Sequence, residues 1–199
     1  MKLNWAERLM VNNPIQVFKQ KQLVSWFVRA RPMQKGVSVL EIGCGRGAGA
    51  RMVLNCFEPG RVDALDLDWR MLRSAGRYLS EAARKQIALY AGDSVHLPFK
   101  SDTYDAVFGF GFLHHVPHWQ AAVAEVVRVL KSRGAYYFEE YYPSAYQNRI
   151  TRRILEHPAE NRFAGPDLKA GFKASGLQIK QALECKWVGV VGVALKTGR

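Results

Sequence analysis

The residues of this chain best suited to chemistry are glycines and carboxylates placed at the ends of short apolar runs. Gly43-Cys44-Gly45-Arg46-Gly47 follows directly on Leu40-Glu41-Ile42. Glycines there let the backbone turn sharply and let a ligand approach the main chain. Asp66 ends a second apolar run, 19 residues past Gly47. A carboxylate at that position can accept hydrogen bonds from both ribose hydroxyls of an adenosine. Asp93 follows Gly92 at the end of a third run. It can accept from an adenine amino group while the Ser94 amide donates to the neighbouring ring nitrogen, and Leu67 and Met71 can sandwich the ring. Taken alone, the glycine loop also fits a dinucleotide pattern through Gly43, Gly45 and Ala48, or a tight turn that holds nothing.

Such residues act together only if the chain brings the ends of those runs to one edge of a sheet. The pattern of the sequence supplies the elements. Strand-like segments at 37–42, 61–67, 86–91, 104–110 and 134–142 alternate with helical spacing at 46–57, 69–83 and 119–130. Strands alternating with helices of this length predict βαβ units and a parallel sheet covered on both faces. Residues 166–174 read as a short helix with Gly176 as its cap. Residues 177–185 and 188–196 are two more strand-like runs separated only by Lys186-Trp187, which predicts a hairpin and an antiparallel C-terminal strand. The expected fold is α/β, a doubly wound, mostly parallel sheet of seven strands. Pro14 opens a helix that runs to about Ala30. Its apolar residues (Val17, Phe18, Leu23, Val24, Trp26 and Phe27 among them) spread around the whole circumference. A helix lying on a membrane surface shows one apolar face, so this one is expected to pack on the body of the domain.

The order and spacing of these segments resemble the class I S-adenosylmethionine-dependent methyltransferases. Residues 40–47 look like their motif I, and Ala64-Leu65-Asp66-Leu67-Asp68 followed by Met71-Leu72 looks like motif II. Gly92-Asp93-Ser94, Leu97-Pro98-Phe99 and Tyr104-Asp105-Ala106-Val107 resemble the third and fourth motifs of the type 11 subgroup, which includes quinone-biosynthesis C-methyltransferases. Phe112-Leu113-His114-His115-Val116 and residues 125–131 match as well. The resemblance covers residues 37 to about 142 and is weaker across 163–177. It implies a Rossmann-like fold and S-adenosylmethionine as cofactor. Gly43, Cys44 and Gly45 are then expected beside its methionine portion, Glu41 (in place of the commoner Asp) near the methionine ammonium, and Phe110 near the reactive methyl. His114 is the candidate catalytic residue on the acceptor side, because it lies where the family's substrate pocket opens and an imidazole side chain is able to take up a proton from an acceptor. One departure is Lys131-Ser132-Arg133-Gly134, where the family usually has a Pro-Gly-Gly turn.

Function classes narrow further. The run Phe110-Gly111-Phe112-Leu113 lacks the Asn/Asp-Pro-Pro-aromatic motif of nucleic-acid amino-methyltransferases, so a small molecule is the expected acceptor and nucleic acid is disfavoured. The alternatives are a non-catalytic S-adenosylmethionine-binding module and an NAD-dependent oxidoreductase. With three scattered cysteines and no C-x-x-C spacing, structural zinc is not expected and a reduced, cytoplasmic setting is. The organisation expected is one domain. A helical cap at 1–35 precedes a cofactor-binding core at 36–142, an acceptor-side insertion at 143–165, and a last helix with the hairpin at 166–199.

The 199 residues carry 29 basic and 17 acidic side chains, for a net charge of +12. Residues 1–35 and 143–199 each carry +6, whereas the motif-bearing segments 36–68 and 101–142 each carry −2. The basic flanks are therefore expected to meet an anionic acceptor, or an anionic surface presenting it. Tyr141, Tyr142, Tyr146, Arg149, Arg152 and Arg153 are candidates for that contact. A peripheral membrane contact is not favoured.

Overall fold

The computed structural model describes residues 14–146 and 161–198. Its strands are β1 (Ser38–Ile42), β2 (Arg61–Asp66), β3 (Ile87–Ala91), β4 (Tyr104–Phe110), β5 (Leu130–Tyr141), β6 (Leu177–Cys185) and β7 (Gly189–Lys196). They form one sheet in the order β3-β2-β1-β4-β5-β7-β6. The first five pair in parallel, and β7 lies antiparallel between β5 and β6. Strand order reverses between β1 and β4, the switch point at which open α/β sheets bind ligands beyond the strands' carboxyl ends.

The helices are α1 (Pro14–Ala30), α2 (Ala48–Phe57), α3 (Trp69–Tyr78), α4 (Glu81–Arg84), α5 (Trp119–Val129), α6 (Pro143–Tyr146) and α7 (Gly165–Ala174). Both faces of the central strands are buried, which is why β1 and β4 read as nearly continuous apolar runs. On one face, Val24 and Phe27 of α1 and Val53 and Phe57 of α2 pack on Phe108, Tyr137 and Val193. On the other, Val123 and Val126 of α5 and Phe172 of α7 pack on Val107, Tyr136 and Phe138. The N-terminal helix thus lies on the body of the domain, as its apolar distribution predicts.

Two elements depart from the sequence expectation. The helix expected over 69–83 breaks at Leu79, whose backbone is extended. Ser80 then restarts it as α4 by accepting a hydrogen bond from the Ala83 amide at 3.2 Å. The last strand of the parallel set begins at Leu130, four residues earlier than expected. Its pairing jumps from Tyr104↔Leu130 to Ala106↔Ala135 across a bulge in which Arg133 has φ 61°. That bulge is the turn that departs from Pro-Gly-Gly, and it lies at the sheet edge away from the cofactor motifs. Residues 1–13, and with them Arg149, Arg152 and Arg153, lie outside the described residues. Among the described residues, no helix is long and apolar enough to cross a membrane.

Candidate cofactor site

The loop after β1 is built by its glycines. Gly43 has φ +74°, and a Cβ there would stand 2.8 Å from Phe112 Cβ, so a side chain meets both a strained backbone and a wall. The amides of Gly43 and Cys44 donate to the Leu65 carbonyl at 2.8 and 3.0 Å. The Gly45 amide donates to Asp66 Oδ2 at 2.8 Å, and the Asp68 amide to Asp66 Oδ1 at 2.8 Å. Asp66 is therefore clamped between the two loops with one amide on each oxygen. Burial pushes its carboxyl above the usual range, opposed by those same two amides. Its remaining lone pairs face a cavity of about 360 Å³, within the range of small-molecule sites.

That cavity brings most of the expected residues together. Gly43, Cys44, Gly45, Asp66, Leu67, Asp93, Ser94 and Phe110 line it, along the carboxyl ends of β1, β2, β3 and β4. Asp93 also closes its own turn, Oδ1 accepting from the Val95 amide at 3.1 Å. Cys44 is buried, and its thiol is pushed well above the usual range by that burial and by the Glu41 and Asp66 carboxyls, surroundings that disfavour the thiolate.

Glu41 sits behind the loop, almost fully buried. Desolvation raises its carboxyl to about 8, against the lowering effect of the Ala50 amide. Its Oε2 is buried with no hydrogen-bond partner. A Cβ on Gly49, which lines the cavity, would overlap Glu41 Oε1, so only glycine leaves room for this carboxyl. An unmet buried acceptor beside a ligand-sized cavity suits a cationic group.

Besides Glu41, two expected residues lie outside the cavity lining. Met71 does not line the cavity. It is buried beneath the glycine loop, its Cε 3.4 Å from where a Gly45 Cβ would be, because the first turn of α3 turns it inward. His114 does not line the cavity either. Its ring stacks on Tyr146 at 5.6 Å, and its Nδ1 lies 2.9 Å from Glu140 Oε2. The fully buried Glu140 carboxylate also accepts from the amides of Leu113 and His114, at 3.0 and 3.2 Å. It thereby pins the 3₁₀ turn at Leu113–His115 to the end of β5. That turn sends His115, Val116, Pro117 and His118 along the cavity wall instead.

The sequence reading passed over several groups. Gln20 reaches the cavity from α1, and only the tertiary packing of that helix reveals it. Glu140 was one of two adjacent glutamates at a strand end, with no local sign of which would turn inward. Arg128 was present only as part of a matching segment. It donates to the carbonyls of Phe99 and Leu97, at 2.8 and 3.0 Å, and pairs with Glu125, which accepts from the Leu97 amide at 2.7 Å. This knot ties the segment after β3, which carries Asp93 and Ser94, to α5.

The comparisons with known proteins agree with this geometry. Residues 39–134 match the family described as "Methyltransferase domain". The chain is 32% identical over 111 residues to a phthiotriol/phenolphthiotriol dimycocerosates methyltransferase of Mycobacterium tuberculosis, covering 55% of this chain and 39% of that protein. It is 35% identical over 129 residues to a demethylmenaquinone methyltransferase of Lactococcus lactis, covering 61% of this chain and 49% of that one. The chain thus spans less than half the length of these curated relatives. Among solved structures, a SAM-dependent methyltransferase from Aquifex aeolicus superposes with a TM-score of 0.75 at 14% identity, covering 98% of this chain and 100% of that one, a likeness of fold. Residues 39–134 thus match a methyltransferase domain, and the sheet has the fold seen in an S-adenosylmethionine-dependent methyltransferase.

Proposed function

We propose that this chain transfers the methyl group of S-adenosylmethionine to a small amphiphilic molecule by in-line displacement. The observation that carries the reading is the pairing of two carboxylates, Glu41 buried and Asp66 half-buried, across one loop. Asp66 faces the cavity with free lone pairs, and Glu41 is left with an unmet acceptor. When bound, the cofactor supplies a methyl group already activated on a sulfonium. The chain's own residues then have to hold and orient. Glu41 takes the ammonium, Asp66 the ribose hydroxyls, and Asp93 with the Ser94 amide the adenine edge. Phe110, itself held by ring contacts to Phe27 and Phe108, presents an aromatic face favourable to a cation by roughly 0.5–1 kcal/mol. The wall formed by Phe112, His115, Val116 and His118 borders the acceptor side and keeps water from the reacting atoms.

An amphiphilic acceptor is supported by that wall, in which the apolar Phe112 and Val116 stand beside the polar His115 and His118, and by the substrates that the relatives' names state, a demethylmenaquinone and a dimycocerosate. Calorimetric titration with S-adenosylmethionine, S-adenosylhomocysteine and NAD tests the cofactor. Binding of NAD in place of both adenosyl compounds overturns the reading. Incubation with methyl-labelled cofactor and a cell extract, followed by partition between organic and aqueous phases, tests the acceptor. Label in the organic phase is expected, and label confined to protein, nucleic acid or the aqueous pool contradicts it.

A further inference from the structure

We propose that the carboxyl edge of the sheet docks on an anionic lipid surface, with the β6–β7 hairpin tip as its principal anchor. The inference rests on the amphiphilic-acceptor reading and adds the place where that acceptor is met. Large apolar side chains left exposed among the described residues are Phe18, Leu67, Trp69, Leu183, Trp187 and Val188. All belong to the carboxyl side of the sheet. Phe18 is near the start of α1, two residues before the cavity-lining Gln20. Leu67 and Trp69 follow the end of β2, and Leu67 serves the cofactor cavity. Leu183 lies near the end of β6, and Trp187 and Val188 form the turn between β6 and β7. Because Gly189 pairs with Tyr141 at the carboxyl end of β5, this turn stands on the edge where the cavity opens. Trp187 is 78% exposed and Val188 50%, on the tip of a hairpin.

Trp187, Phe18 and Trp69 each have a cation beside them, whereas Leu67 lies between Asp66 and Asp68 at the cavity mouth. Lys186 precedes Trp187, Lys19 and Lys21 follow Phe18 on a helix with no acidic residue, and the Arg73 guanidinium lies 5.6 Å from the Trp69 ring. The acidic group nearest the hairpin tip in sequence, Glu184, is already engaged by Lys169 and Tyr142. Trp and Lys together suit the headgroup region, where an apolar body and a polar tip are both satisfied. The anchors sit on separate elements on two sides of the cavity mouth, a layout that fits a plane better than a groove-filling segment. A second copy of the chain is a poorer occupant. Two bodies of net charge +12 repel, and edge strand β6 is guarded against strand pairing by Lys180 inside its register shift between Ile179 and Gln181.

Flotation of the full chain with vesicles tests the proposal. One set is phosphatidylcholine alone, and the other carries about one-third phosphatidylglycerol. The protein is expected to float with the anionic vesicles and not with the neutral ones, and to be released when salt is raised to about 0.5 M. Trp187→Ala and Lys186→Glu are each expected to weaken partition about tenfold, and Trp187→Phe to retain most of it. Unchanged titration with S-adenosylmethionine shows that the variants are folded, and it separates failure of this proposal from failure of the methyltransferase reading. Equal flotation on both vesicle types, no flotation, no effect of Trp187→Ala, or a lipid-independent dimer abolished by Trp187→Ala overturns it.

Discussion

His114 Nδ1 and Glu140 Oε2 stand 2.9 Å apart, in a contact where the His114 side chain is 7% exposed and that of Glu140 not at all. The same carboxylate accepts from two backbone amides, so the pair is a strut that holds the 3₁₀ turn after β4 against the end of β5. His114 does not line the cavity, and cavity-lining His115 is the better candidate for direct contact with an acceptor. His114→Ala is expected to lower the unfolding free energy by about 1–3 kcal/mol, because it removes one donor from a buried carboxylate. Urea unfolding measures this, with turnover of the folded enzyme followed separately. Turnover lost in His114→Ala at unchanged stability would restore His114 as the acceptor-side base and sink the strut reading.

Glu41 predicts a pH dependence with a definite sign. Burial raises its carboxyl from 4.5 to about 8, so the folded chain binds a proton that the unfolded chain has released across that interval. Stability without cofactor therefore falls as pH rises from about 4.5 to about 8 and levels off above, and Glu41→Gln removes this dependence. The ammonium needs the ionised carboxylate, so affinity for S-adenosylmethionine rises over the same window. Binding at pH 7 then releases nearly one proton, readable by calorimetry in buffers of different ionisation enthalpy. At pH 8, Glu41→Gln is expected to bind about 10–100-fold more weakly. Equal proton release by wild type and Glu41→Gln would show that the ammonium lies elsewhere.

The backbone of the site was legible because it is local. Gly43, Asp66 and Asp93 each end a strand-like run, and a doubly wound sheet puts such ends on one edge. The direction of side chains beyond the strands was not legible. Met71 and His114 follow the motif positions closely in sequence, yet a quarter turn of helix carries Met71 under the loop, and a buried glutamate 26 residues away pulls His114 from the cavity wall. The break at Leu79 escaped for a related reason. Helical apolar spacing persists through it, and the Ser80 cap is recognised only once the chain has bent. Gln20 depends wholly on where α1 packs, which no local pattern specifies.

Asp66→Ala separates holding the ligand from holding the loop. Removing the carboxylate takes away the proposed ribose acceptor and releases the Gly45 and Asp68 amides it now engages. Affinity for S-adenosylmethionine is expected to fall by about 1–3 kcal/mol. Asp66→Asn keeps one acceptor oxygen and is expected to fall between wild type and Asp66→Ala. Calorimetry gives both values, and equal affinity for all three proteins would remove Asp66 from the site.

Arg128 tests whether the adenine side depends on a group that never touches the cavity. Its guanidinium caps the carbonyls of Leu97 and Phe99, and Glu125 beside it receives the Leu97 amide. Pairing with Arg128 holds the Glu125 carboxyl below the usual range, so the knot persists until the solution is strongly acidic. Arg128→Ala leaves two carbonyls and a carboxylate without their donor and is expected to destabilise the fold by about 1–3 kcal/mol. Arg128→Lys, with a point charge in place of a fork, cannot cap both carbonyls and reach Glu125 together, so it should recover only part of that loss. Loosening this segment lets Asp93 and Ser94 drift from the adenine edge. Affinity for S-adenosylmethionine should therefore drop several-fold in Arg128→Ala, while affinity for free methionine, which reaches only the Glu41 side, stays the same. A parallel loss for both ligands would mean that Arg128 supports the fold as a whole and not the adenine wall.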